Sequence, residues 1–160
     1  INIIPESLGN LDAITRLEIA YLPITSLPNS IGNLSNIDRL YIRYHNLTSI
    51  PESIGNLSTL TLLSLSYGGL TSLPTSIYYL PNLDELEIGG NAFTSIPEEV
   101  VNLVNLQRLY AWENELTSLP SNLCDLPENC VIWVDTNYLC EEYHFDCIDA
   151  WYPQDQTDCP

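Results

Sequence analysis

Six prolines keep one beat along the chain: Pro5, Pro28, Pro51, Pro74, Pro97 and Pro120, each 23 residues after the last. Apolar residues hold the same phase. In the stretch from Leu60 to Pro74 they are Leu60, Leu63, Leu65, Leu70 and Leu73. The unit before it carries Ile37, Leu40, Ile42, Leu47 and Ile50, and the unit after it Leu83, Leu86, Ile88, Phe93 and Ile96. The first complete unit uses Ile14, Leu17, Ile19, Ile24 and Leu27; the fifth uses Leu106, Leu109, Ala111, Leu116 and Leu119. A degenerate sixth keeps Ile132, Val134 and Leu139 before the pattern is lost at Glu142. A unit this short cannot bury its own apolar row, so the units must stack on one another.

The spacing inside a unit assigns directions. Alternate strand residues share a face, so Leu63 and Leu65 point inward and Ser64 between them points outward. The segment from Pro51 to Leu57 (PESIGNL) is too short and too interrupted by glycine and proline for an α-helix. A 3₁₀ or irregular turn is expected there, with Ile54 and Leu57 inward.

The repeating L-x-x-L-x-L-x-x-N-x-L frame, with its asparagine kept at Asn91, Asn114 and Asn137, resembles the leucine-rich repeat family from Ile1 to about Leu139. The resemblance implies an α/β solenoid: a curved array with a parallel concave β-sheet and short 3₁₀ or irregular convex segments. It would span 1–139, with a disulfide-stapled C-terminal cap over 140–160. The family's asparagine ties each turn together through backbone hydrogen bonds. Leu22, His45 and Gly68 replace it in the first half, which predicts less regular turns there. After Leu139 the text CEEYHFDCIDAWYPQDQTDCP resembles the cysteine-bearing caps of extracellular members of the family. That resemblance implies that Ile148, Trp151 and Tyr152 cover the last apolar layer and that Cys140 bonds to Cys159. Cys124, Cys130 and Cys147 then supply at most one further bond and leave one thiol over. Cysteines gathered in one terminal segment point to an oxidising compartment, hence an extracellular or cell-surface protein. The Cys-x-x-Cys spacing favoured by structural zinc is missing, and neither a metal nor a cofactor is expected.

Charge excludes several partners. The formal net charge is −17, from 21 acidic residues against four basic ones, with no lysine. Such a surface repels phosphate backbones and anionic lipid, so no nucleic acid is expected. No run approaches the roughly 18–20 apolar residues of a membrane span, so membrane insertion is not expected either. The chain opens at Ile1, inside a repeat and without a start residue or leader, and reads as a processed or excised piece with an uncapped N-terminal end. The carboxylates after Leu123 show no EF-hand spacing and read as a solvated surface. His144 and Cys147 sit among cysteines with structural roles, and with no nucleophile–base constellation elsewhere the chain is not expected to be an enzyme. Asn33, Asn46 and Asn56 each open an N-x-[ST] glycosylation triplet.

The outward strand positions change from unit to unit while the frame stays. They hold all four basic residues (Arg16, Arg39, Arg43 and Arg108) together with Tyr21, Tyr41, Tyr44, Tyr67, Tyr110, Trp112 and Trp133. Arg, Tyr and Trp are the residues that dominate binding hot spots. Tyr21, Tyr44 and Tyr67 share one phase and should form an aromatic row. Arg16 and Arg39 share another, about 5 Å apart at the backbone, which suggests a carboxylate-bearing ligand. Ion pairs such as Arg108–Glu85 and Arg16–Glu18 compete with that reading. Gly89 and Gly90, beside Ser64 and Ser66, should leave a low floor between the tyrosine row and Trp112. The pattern points to a non-enzymatic recognition module whose concave face binds a protein, peptide or glycan. The alternative is a structural subunit of an extracellular filament or surface layer, which the uncapped end and the fifth cysteine motivate. Its partner would be the chain itself, by self-assembly.

Overall fold

The structure, a computed structural model, describes residues 2–159. Six short strands form one parallel sheet in chain order. They are β1 (Arg16–Ala20), β2 (Arg39–Arg43), β3 (Leu62–Ser64), β4 (Glu85–Glu87), β5 (Arg108–Tyr110) and β6 (Val131–Trp133). Each residue pairs with the one 23 positions later, so Leu17, Leu40, Leu63, Leu86, Leu109 and Ile132 make one inward row. Among the described residues no helix is long and apolar enough to cross a membrane.

The proline beat has a local cause. Each strand is followed by a return segment built on a 3₁₀ turn: Asn29–Asn33, Glu52–Asn56, Thr75–Tyr79 and Glu98–Asn102 repeat the geometry of Glu6–Asn10. The residue before each of these turns is a proline in extended conformation, with φ between −64° and −75°. Its ring fixes that angle, and its carbonyl accepts the first turn hydrogen bond, as from Ile54 to Pro51 (3.0 Å). Ile31, Ile54, Ile77 and Val100 then point from the turns into the core, where they meet the strand rows fully buried.

Asparagines lace the rungs together. Asn91 accepts the Leu70 N–H (3.1 Å) and donates to the carbonyls of Leu65 (2.7 Å) and Ile88 (3.0 Å). Asn114 and Asn137 repeat these contacts one and two rungs on. A second ladder, not foreseen, lies on the return side: Asn36, Asn82 and Asn105 each donate to a backbone carbonyl 24 residues earlier.

The N-terminal turns are as regular as the others. Tyr21, Tyr44 and Tyr67 take φ of 56°, 55° and 57°, matching Glu113 and Thr136 at 50° and 57°. His45 and Gly68 explain how a turn survives without its asparagine. The repeat would send the Leu47 N–H to position 68, but Gly68 has no acceptor. The His45 Nδ1 accepts it instead, at 3.1 Å. The His45 ring lies where a Cβ on Gly68 would be. Burial holds the pKa of this histidine below its ordinary value, which keeps the ring neutral and Nδ1 free to accept. The two departures therefore compensate each other. Gly68→Asn alone is expected to destabilise by about 1–3 kcal/mol through overpacking. In a His45→Asn background the same change should cost at least about 1 kcal/mol less, within the range of coupling between touching residues. Urea titration of the unchanged chain and the three variants measures the difference.

The C-terminal end is closed by a shortened rung. Asp149 donates its N–H to Ile132 (2.9 Å), Val134 donates to Ala150 (2.9 Å) and Asp155 to Asn137 (2.7 Å). These contacts pair Trp133 with Ala150 and Asn137 with Gln154, a step of 17 residues where the array uses 23. Gln154 takes over the asparagine's work: its Oε1 accepts from Asn137 (3.1 Å) and Leu139 (3.3 Å), and its Nε2 donates to Val134 (2.8 Å). Trp151 is buried over the last apolar layer, Ile148 is half-buried, and Tyr152 is exposed, so it is not part of that cover. Two disulfides fasten the segment, Cys140–Cys159 and Cys124–Cys147. Cys130 is left as a buried thiol, which burial pushes up to about 11.

Candidate functional site

Curvature brings outward side chains together on the concave side. Strands in a sheet lie about 4.7–4.9 Å apart, and the tyrosine rings stack slightly closer than that. Tyr21 and Tyr44 are 4.3 Å apart and 9° from parallel; Tyr44 and Tyr67 are 4.5 Å apart and 4° from parallel. All three backbones sit in the left-handed region, which bulky residues rarely enter. The row ends where Tyr67 tilts toward Trp112, with centroids 5.3 Å apart. The two glycines of β4's turn make this possible. A Cβ on Gly89 would meet the Trp112 ring at 2.5 Å, and one on Gly90 would meet Tyr67 at 2.7 Å. The expected open floor is thus not there: the rings of Tyr67 and Trp112 lie over both glycines.

The arginines are less free than their spacing suggested. Arg43 reaches across β3, donating Nε to the Ser64 hydroxyl (2.9 Å) and pairing with Glu87 two strands away (2.9 Å). Arg16 pairs with Glu18 (3.0 Å) and Arg108 with Glu85 (3.2 Å). The guanidiniums of Arg16 and Arg43 flank the Tyr41 ring, each 4.8 Å from its centre, an arrangement that favours cation–π attraction. Arg39 is exposed and has no carboxylate partner among the described residues. Arg16 and Arg39 are direct neighbours in register, but Glu18 already answers the first of them. Ser64 and Ser66, read as outward, are fully buried. Ser64 does lie in the row of Tyr41 and Glu87, and Arg43 covers it.

Together Glu18, Tyr21, Arg43, Tyr44, Tyr67, Glu87 and Trp112 enclose a hollow of about 270 Å³. Tyr110 and Trp133 form a second aromatic pair toward the cap, 4.8 Å apart and tilted by 42°. The structure therefore gathers the sequence candidates into two groups on one face, the first around Tyr41 and the tyrosine stack and the second around Trp133. Glu87 was missed as a partner of Arg43, because the two are 44 residues apart and not in the same row. The Cys124–Cys147 pairing was not singled out: its separation is 23 residues, but the rung that carries Cys147 steps by 17, so the two cysteines do not hold equivalent places on successive rungs. His144 and Cys147 are no catalytic pair: Cys147 is in a disulfide, and His144 stacks on Trp151 at 4.6 Å.

A single parallel sheet, one strand per 23 residues, backed by 3₁₀ turns and laced by asparagines, defines a repeat solenoid with a rigid open face. The leucine rich repeat family model matches residues 58–116. With the six parallel strands in chain order, this identifies the architecture as a leucine-rich repeat solenoid. A leucine-rich repeat protein of Leptospira interrogans is 32% identical with a TM-score of 0.84, the match covering 87% of this chain and 36% of that one. A plant peptide hormone receptor, solved in complex with RGF2, is 33% identical with a TM-score of 0.74, covering 86% and 23%. A plant ice-binding protein is 28% identical with a TM-score of 0.72, covering 85% and 46%. The chain spans less than half the length of each of these three. No curated protein matches it.

Proposed function

We propose that this chain is a non-enzymatic recognition module that works outside the cell or at its surface and binds a protein, peptide or glycan on its concave face. The observation that carries the reading is the concentration of every arginine and most of the exposed aromatic area on that one face, over a frame that barely varies. A preordered sheet loses little entropy on binding, which favours affinity. The peptide hormone receptor with a similar fold, solved with RGF2, supports a ligand-binding role. The two disulfides support an oxidising compartment. Asn33, Asn46 and Asn56 are exposed, in keeping with the same setting. The filament alternative loses one of its motives, since the fifth cysteine is buried and offers no link between chains.

Tyr44→Ala opens the middle of the tyrosine stack, and Arg43→Ala removes its bridge to Glu87. Each is expected to weaken a concave-face ligand by about 2 kcal/mol or more. Glu98→Ala, on the return side, should change affinity by no more than about 0.5 kcal/mol. A partner isolated by pull-down, titrated against the three variants, makes the comparison. Loss of binding on Glu98→Ala with normal binding by the other two would overturn the assignment.

A further inference from the structure

We infer that the cap-proximal half of the concave face, built on the Tyr110–Trp133 ring pair, receives a cationic peptide segment, one presenting arginine or lysine. This deepens the recognition reading and rests on it.

The two halves of the face differ in chemistry. Three of the four arginines lie on β1 and β2. The cap-proximal half has only Arg108, and Glu85 already neutralises it (3.2 Å). Glu113 and Asp135 follow β5 and β6 on the same face and make no ion pair among the described residues. Asp135 lies two residues beyond Trp133, and among the described residues its carboxylate accepts a side-chain hydrogen bond only from Thr136 (3.4 Å). Trp133 is 41% exposed, with the Tyr110 ring 4.8 Å away on one side. The surface is thus an open aromatic platform beside uncommitted carboxylates, on a molecule whose net charge is −17. An anionic partner would meet like charge there, whereas a cation gains twice. The field draws it in from about one Debye length, and the indole face holds it, tryptophan being the strongest of the aromatic cation acceptors. The tyrosine stack is less suited to a cation. Tyr44 is stacked on both faces, at 4.3 and 4.5 Å. Although Tyr21 at the end of the row is 75% exposed, Arg16, Arg39 and Arg43 lie on the same two strands and would repel a positive charge.

The test uses an amidated hexa-arginine peptide, with a hexa-glutamate peptide of the same length as its opposite, titrated by calorimetry at low and at physiological salt. Hexa-arginine is expected to bind and hexa-glutamate not to. Trp133→Ala and the pair Glu113→Gln/Asp135→Asn should each weaken binding about tenfold. The pair Glu98→Gln/Glu99→Gln, equal in charge but on the return side, should weaken it less than twofold. Because Glu113→Gln/Asp135→Asn leaves the ring pair in place, it answers even if Trp133→Ala loosens the cap. Equal losses from both carboxylate pairs would mean a diffuse field and overturn the proposal, as would tighter binding of hexa-glutamate or no binding of hexa-arginine. Those failures leave the recognition reading standing, since Tyr44→Ala tests that reading at the other end of the face with a different partner.

Discussion

Truncation of Leu65 to alanine is expected to lower the unfolding free energy by about 2–5 kcal/mol, measured by urea titration. Leu65 is fully buried at the centre of the array, and the rungs on either side cannot close on the gap without losing their own register. Its neighbour Ser64 is equally buried but for another reason. It lies on the opposite face under Arg43, whose Nε it accepts at 2.9 Å. Ser64→Ala should therefore cost only about 0.5–1.5 kcal/mol, the net worth of one hydrogen bond. The gap between the two variants tests the assignment of sheet faces, and equal losses would contradict it.

Removal of the cap's disulfides should be the other large effect. Cys140–Cys159 closes a separation of 19 residues and Cys124–Cys147 one of 23. The chain-entropy account gives each about 3 kcal/mol. Cys140→Ser/Cys159→Ser is expected to lower stability by that order, and hydrogen exchange should rise first around β6 and the shortened rung. In a repeat array each unit leans mainly on its neighbours, so loosening at the end should fade toward β3. Uniform acceleration along the whole chain would show that the array behaves as one cooperative block instead.

Most of what depends on the period was legible in the sequence, the return-side ladder of Asn36, Asn82 and Asn105 being the exception. The inward rows, the parallel register and the turn prolines all follow from the 23-residue step, because a residue's neighbour in space is its counterpart one unit on. The Tyr21, Tyr44 and Tyr67 row was legible for the same reason. What escaped was diagonal. Arg43 meets Glu87 across two strands and between rows, and side-chain reach rather than phase decides such a contact. The His45 ring crosses into the rung of Gly68, so each looked like a separate defect when read alone. Gly89 and Gly90 were read as open space, but absent side chains in a packed face are filled by their neighbours, here Trp112 and Tyr67. The shortened rung was hidden because its step changes and a glutamine stands for an asparagine. Only the backbone groups that Gln154 satisfies reveal the equivalence.

That shortened rung also bears on how such a molecule can change length over generations. It grips β6 through backbone edges, one amide side chain and a disulfide one period long. None of these contacts reads which unit lies further back. A gene duplication that inserts one more whole unit anywhere before Cys124 would present the same docking edge to the end piece. The face would grow by a single strand spacing, about 4.7–4.9 Å, with its termination already provided. Insertions that are not multiples of 23 would break the edge they must fit, so selection can lengthen this surface only in whole steps.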